Sequence, residues 1–210
     1  MAWDDDLEGA AYHVAVYDGS PLRVVAGPGT GKTFSLMRRI ARFLENGVEP
    51  ERVLVVTFTR TAAIDIEHEL GRLNVSGVGE VDNRTLHSFC FRTLQQARVF
   101  DLTRRVARPL LDFEKRFLLE DLNNIEVFGD VSKRGKRIQA FEALWARQQG
   151  QALGLQDEVD RLFDQQLGLW LRFHRAMLLS ELVPVTLNYL RNNPQSEAFP
   201  RYDIYLSLPN

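Results

Sequence analysis

The stretch Ala26-Gly27-Pro28-Gly29-Thr30-Gly31-Lys32-Thr33 constrains this chain more than any other, because it sets a glycine-rich turn between an apolar run and a helical pattern. Glycine has no Cβ to block a close approach and tolerates positive φ, so such a turn can aim several backbone N–H groups at one point. The helix that follows adds its positive N-terminal end. The result is a cradle for the phosphates of a nucleoside triphosphate. Lys32 is placed to reach the outer phosphates, and the Thr33 hydroxyl to help hold Mg²⁺. The strict pattern begins with glycine; here Ala26 stands first.

The elements around the loop define a fold class. Leu22-Arg23-Val24-Val25-Ala26 reads as a strand leading into the turn. From Lys32 to Leu44, the residues Phe34, Leu36, Met37, Ile40, Phe43 and Leu44 recur at helical spacing. Val53-Leu54-Val55-Val56 reads as a second, buried strand, and Ala62 to Leu73 as another helix. Alternating strands and helices with continuously apolar strands predict an α/β fold, a parallel sheet covered on both faces.

Beyond about residue 96 the texture turns helical. Leu110, Leu111, Phe113, Phe117, Leu118 and Leu122 mark one amphipathic stretch; Ile138, Phe141, Leu144 and Trp145 mark a second. Val159, Leu162, Phe163, Leu167, Trp170, Leu171 and Met177 mark a third. Gly129, Gly135, Gly150 and Gly154 are expected to form turns between them, and Pro184 and Pro194 to punctuate the end.

Composition narrows the function classes. The charges nearly cancel, 26 Lys+Arg against 28 Asp+Glu, so no global basic surface points to nucleic acid and only local patches could. The one cysteine, Cys90, excludes an internal disulfide and fits a reducing compartment. The first residues are acidic, unlike a secretion signal, and no stretch reads as long and apolar enough to span a bilayer, so a cytoplasmic protein with no membrane partner is expected.

Three blocks in register carry a resemblance. The loop Ala26–Thr33, then Val56-Thr57-Phe58-Thr59-Arg60-Thr61-Ala62-Ala63, then Thr85-Leu86-His87-Ser88-Phe89-Cys90 resemble motifs I and Ia and the following Thr-x-His-x-Phe motif of the UvrD/Rep-type superfamily-one DNA helicases. The resemblance implies a P-loop RecA-like sheet, incomplete, over residues 1–95, a helical 1B-like insertion over 96–193 and a return to the first domain over 194–210. It implies ATP and Mg²⁺ at Ala26–Thr33, with Lys32 and Thr33 serving the chemistry. It also implies that Thr57, Phe58, Thr59, Arg60, Thr85 and His87 face single-stranded or partly duplex DNA. An aromatic such as Phe58 can stack on any base, while hydroxyls and Arg60 can touch the backbone without reading sequence. Read without the resemblance, Phe58 also fits a core position and His87 a helix cap. Two basic clusters, Arg104/Arg105/Arg108 and Lys133/Lys136 with Arg134 and Arg137, fit either phosphate contacts or solvated loops.

The chain departs from that family pattern in three places. No glutamine precedes Gln95, so the adenine-reading residue is missing; Ala10-Ala11-Tyr12-His13 stands in its region. Motif Ia carries Arg60-Thr61 where Asn-Lys is usual. Tyr202 to Leu208 reads as a strand, but Pro209-Asn210 follows it in place of a Walker B acid pair. The expectation is an N-terminal helicase fragment that binds ATP, with hydrolysis and unwinding lost unless a partner protein supplies the missing half. The alternative is a non-enzymatic module that binds nucleotide or single-stranded DNA and acts through a partner. A P-loop kinase needs neither of the later two motifs.

Overall fold

Five residues rich in β-branched side chains, Val53–Thr57, form β1 at the centre of a sheet, as apolar residues with strong β preference do when both faces are covered. A computed structural model describes residues 3–27, 29–73, 75–122, 126–146, 158–194 and 202–208. The chain divides into two compact units: Met1–Phe89 with Pro200–Asn210, and Cys90–Phe199.

In the first unit, β1 pairs in parallel with β2 (Asp82–Thr85) on one side and β3 (Ile204–Leu208) on the other. The registers run Leu54↔Asp82 to Thr57↔Thr85, and Val53↔Ile204 to Thr57↔Leu208. Three helices accompany the sheet: α1 (Gly9–Val16), α2 (Lys32–Glu45) and α3 (Arg60–Gly71). Leu36, Met37, Ile40, Ala41 and Leu44 of α2 pack with Val53, Val55, Ile66 and Leu70 into one core. Buried Arg39 on α2 donates to the carbonyls of Val14 (2.9 Å) and Tyr17, groups at the end of α1 that the helix itself leaves unsatisfied. Burial, with Arg42 beside it, pulls the Arg39 guanidinium below its usual range.

The far end of the sheet is clamped by polar contacts. The Tyr202 hydroxyl donates to Asp82 at 2.5 Å, Arg84 pairs with the same carboxylate, and Arg52 pairs with Asp203 at 2.7 Å. Burial and that bond to Asp82 push the Tyr202 phenol well above its usual range.

The fold class is as the sequence reads: α/β, with an open three-stranded parallel sheet and a largely helical second unit. The run Leu22–Ala26 differs. Among the described residues it joins no ladder, and Val25 is 83% exposed. An extended run becomes a strand only where a neighbour supplies partners for its backbone groups, and neither edge strand of the sheet, β2 or β3, pairs with this one.

The second unit is built on α5 (Ala97–Thr103), α6 (Asp112–Asp121), α7 (Val131–Ala146), α8 (Glu158–Phe173) and α9 (Leu182–Asn192), while α4 (Leu86–Leu94) contains the boundary between the units. Leu118, Phe128, Phe141, Phe163, Leu167 and Leu171 form its core, with the Phe128 and Phe163 rings edge-on at 4.9 Å. Gly129 makes the turn before α7 with φ 73°, whereas Gly135 lies inside α7; Gly150 and Gly154 fall outside the described residues. Pro184 sits in the first turn of α9, where a missing N–H costs nothing because the first N–H groups of a helix have no internal acceptor. No helix among the described residues is long and apolar enough to cross a membrane.

Candidate functional site

The glycine-rich loop enters α2 through two left-handed residues, Gly29 at φ 72° and Gly31 at φ 78°. A Cβ at either would meet nothing within 4 Å, so the demand for glycine comes from the torsion, not from space. Gly31 is the N-cap of α2, and its carbonyl accepts from the N–H (2.9 Å) and the hydroxyl (2.9 Å) of Ser35. Thr30 donates its hydroxyl to the Gly27 carbonyl at 2.7 Å and ties the turn across its base. Pro28 lies outside the described residues.

Lys32 folds back over this turn. Its ammonium donates to the carbonyls of Ala26 and Gly27, each at 2.8 Å. An ammonium carries three N–H donors, so two hold the side chain in place and the third is left for an anion in front of the helix. Thr33 sits partly exposed in the first turn of α2. The open glycines, the aligned helix end and the anchored ammonium together fit a polyphosphate. For a divalent metal the set is thinner. Thr33 offers one hydroxyl, and among the described residues no three His, Cys, Asp or Glu come together. A Mg²⁺ ion that keeps its waters and takes the rest of its oxygens from phosphate fits that supply.

The second and third sequence blocks meet at one edge. Thr57 ends β1, Thr85 ends β2, and the register pairs them directly. Segments leaving the carboxyl ends of parallel strands are where open α/β sheets place their sites. There the six side chains divide by exposure. Thr57 is fully buried and donates to the Thr59 carbonyl at 3.0 Å. The Thr59 hydroxyl accepts from Ala62 N–H at 3.2 Å and caps α3; that of Thr85 accepts from Ser88 N–H at 3.2 Å at the start of α4. Phe58 is 50% exposed, Arg60 is exposed on the first residue of α3, and His87 is partly exposed in the first turn of α4. Asn83 of β2, which the sequence does not flag, donates to the Ala63 carbonyl at 2.7 Å and fixes α3 against the edge.

The basic clusters resolve into structural and free charges. Arg105 donates to both oxygens of Glu181 at 2.8 Å. Arg108 chelates Glu114 and donates to the carbonyls of His174 and Arg175 past the end of α8. Arg104 is exposed beside Asp101. In the second cluster, which lies on α7 and not in a loop, Arg134 is 2% exposed and Arg137 pairs with Asp160 at 3.1 Å. Lys133 and Lys136 are exposed.

Residues 8–195 match the family model described as the UvrD/REP helicase N-terminal domain. The chain is 38% identical over 93 residues to the ATP-dependent DNA helicase UvrD1 of Mycobacterium leprae, covering 43% of this chain and 12% of that protein. It is 28% identical over 190 residues to an ATP-dependent helicase/nuclease subunit from Bacillus velezensis, covering 77% of this chain and 14% of that one. Against the UvrD2 helicase of Mycobacterium bovis the identity is 41% over 81 residues, 36% of this chain and 12% of that protein. The chain thus spans about an eighth of the length of these relatives.

Proposed function

This chain belongs to the family of UvrD/REP helicase N-terminal domains, and we propose that it binds MgATP at Ala26–Thr33 and single-stranded DNA at the carboxyl edge of its sheet. The observation that carries this reading is the register Thr57↔Thr85, which brings two segments 28 residues apart in sequence (85 − 57) to one edge. Lys32 contributes charge and one directed N–H to the phosphates, and Thr33 a hydroxyl to Mg²⁺. When bound, the metal would neutralise charge on the phosphate oxygens. Phe58 stacks on a base, Arg60 and His87 contact the strand, and the hydroxyls of Thr57, Thr59 and Thr85 hold those segments in shape. Residues 1–95 and 194–210 act as the nucleotide-binding domain and 96–193 as its 1B-like insertion.

Hydrolysis draws, besides the phosphate cradle, on carboxylates that hold the metal and on positive charge that stabilises the transferring phosphoryl group. The chain's setting in the cell is cytoplasmic, beside DNA.

Phe58→Ala tests the DNA surface. Loss of one stacking platform is expected to weaken binding of an oligothymidylate by roughly five- to 150-fold, about 1–3 kcal/mol, with MgATP affinity unchanged. Equal DNA affinity in the variant, measured by fluorescence anisotropy, would contradict the assignment. Lys133→Glu/Lys136→Glu tests the free charges of α7 while sparing the packed Arg134 and Arg137. If both lysines meet phosphates, the log–log salt slope of DNA binding drops by about two units. An unchanged slope would place α7 away from DNA.

A further inference from the structure

Two helices of the second unit, α5 and α8, end beside one hollow of about 320 Å³. Four arginines line it: Arg104, Arg105, Arg172 and Arg175. The other lining residues are apolar, and no carboxylate is among them.

Two of these arginines stand where glycine is the usual residue. Arg104, at φ 52°, follows α5 and donates its N–H to the Phe100 carbonyl at 2.7 Å. Arg175, at φ 49°, follows α8 and donates its N–H to the Arg172 carbonyl at 3.1 Å. Ala176 N–H then closes on the Leu171 carbonyl at 2.8 Å. Both are left-handed helix ends, which favour glycine because a Cβ crowds the following carbonyl. Among the described residues, Asp6 is the one other non-glycine residue with such a torsion. The fold thus accepts strain twice, each time at a cation that borders this hollow.

The four guanidinium groups are not equivalent. Arg105 is consumed by Glu181, which accepts two bonds from its Nη2 and leaves the pair neutral. Arg104 reaches Asp101 at 3.9 Å with the two side chains 70% and 68% exposed, a contact worth little in water. Arg172 and Arg175 are exposed and make no side-chain hydrogen bond or ion pair among the described residues. Arg172 does feel Asp164, whose side chain lines the neighbouring hollow and not this one. Each helix end opposes an anion with about half a negative charge. Three uncommitted cations against two such ends leave the hollow positive by about two charges.

Guanidinium groups pair with carboxylates and phosphates through forked N–H bonds. A carboxylate brings one negative charge. A phosphate monoester brings about two near neutral pH, with three strong acceptor oxygens. The monoester matches the excess charge and offers an oxygen to each uncommitted arginine.

We propose that this hollow binds a phosphate monoester group through Arg104, Arg172 and Arg175. The group is carried either by a small phosphorylated compound or by the 5′ end of a DNA strand.

Inorganic phosphate is the first probe, added to the full chain carrying Lys32→Ala so that the Ala26–Thr33 loop contributes little. With ionic strength held by chloride, the amide resonances of Arg105 and Ala176, next to the two caps, should shift saturably. Adding Arg104→Gly/Arg175→Gly should weaken phosphate at least tenfold. The thermal midpoint should hold or rise, because glycine relieves both left-handed positions. Binding lost without stability lost separates a ligand site from a pair of helix caps. Arg172→Gln, at an exposed position of α8, should also weaken phosphate while leaving both helix ends intact. In a second arm, oligothymidylate with a 5′ phosphate competes against the same strand with a 5′ hydroxyl. A preference for the phosphorylated strand that disappears in Arg104→Gly/Arg175→Gly assigns the group to DNA. Phosphate binding without that preference assigns it to a small compound. No saturable shift at these two amides, or phosphate bound as tightly after the arginine substitutions as before, overturns the proposal.

Discussion

Lys32→Ala is expected to weaken MgATP binding by roughly 100-fold, the loss of a hydrogen bond between two charged groups together with its Coulombic attraction. The ammonium is already fixed by the Ala26 and Gly27 carbonyls, so little ordering entropy is spent on binding and most of the contact energy reaches the ligand. The fold should not suffer. Lys32 is partly exposed, and water can replace the ammonium at both carbonyls. A fluorescent ATP analogue titrated into wild type and variant reads the difference. Comparable affinities, with both proteins folded, would remove the loop from the nucleotide site.

Glu181→Ala carries the largest expected loss of stability, about 3–5 kcal/mol in the second unit, because it strands the buried guanidinium of Arg105 without its carboxylate. The same pair can be replaced whole at little cost. Arg105→Met together with Glu181→Leu should restore most of the stability, since removing both charges also removes both desolvation penalties. Chemical denaturation of the single and double variants gives the coupling. A single variant as stable as wild type would show that the pair is not buried.

The pH dependence has a definite sign. Burial, the largest influence, pushes the Glu181 carboxyl up despite Arg105, so the folded state holds that proton more tightly than the unfolded chain. Stability from this group is present in full below the usual carboxyl range and is lost as pH rises through the higher folded value. Asp164 acts in the same direction, again through burial. Wild type should therefore lose part of its second-unit stability on going from pH about 4 toward neutrality. Glu181→Gln should flatten that slope.

What could be read in the sequence follows from how local each signal is. Helix α2 announces itself through six apolar positions at helical spacing, four of which (Leu36, Met37, Ile40 and Leu44) pack with β1 into one core. The stretches that became α6, α7 and α8 are legible for the same reason. By contrast, β2 reads Asp82-Asn83-Arg84-Thr85, four polar residues with no strand signature. It holds because Asn83, Arg84 and Tyr202 pair with groups up to 120 residues away. Helix α1 is apolar on nearly every side, so no period marks it, and its carbonyls are satisfied by Arg39 from α2. The run Leu22–Ala26 errs the other way: its residues favour a strand, but pairing is a property of neighbours.

The same logic divides the site. The loop's glycine pattern is written in consecutive residues, and glycine at 29 and 31 is demanded by torsions the structure displays. The basic clusters were not legible. Density of charge cannot tell Arg105, bound to Glu181 across 76 residues of chain, from an arginine open to solvent. Phe58 was open between core and surface until its exposure at the end of β1 decided it.

Nucleotide and DNA binding measured on one sample test the central claim most directly. The full chain should bind MgATP saturably and oligothymidylate saturably, with Lys32→Ala weakening the nucleotide alone and Phe58→Ala weakening the DNA alone. Variants that weaken both ligands together, or neither, would contradict the account.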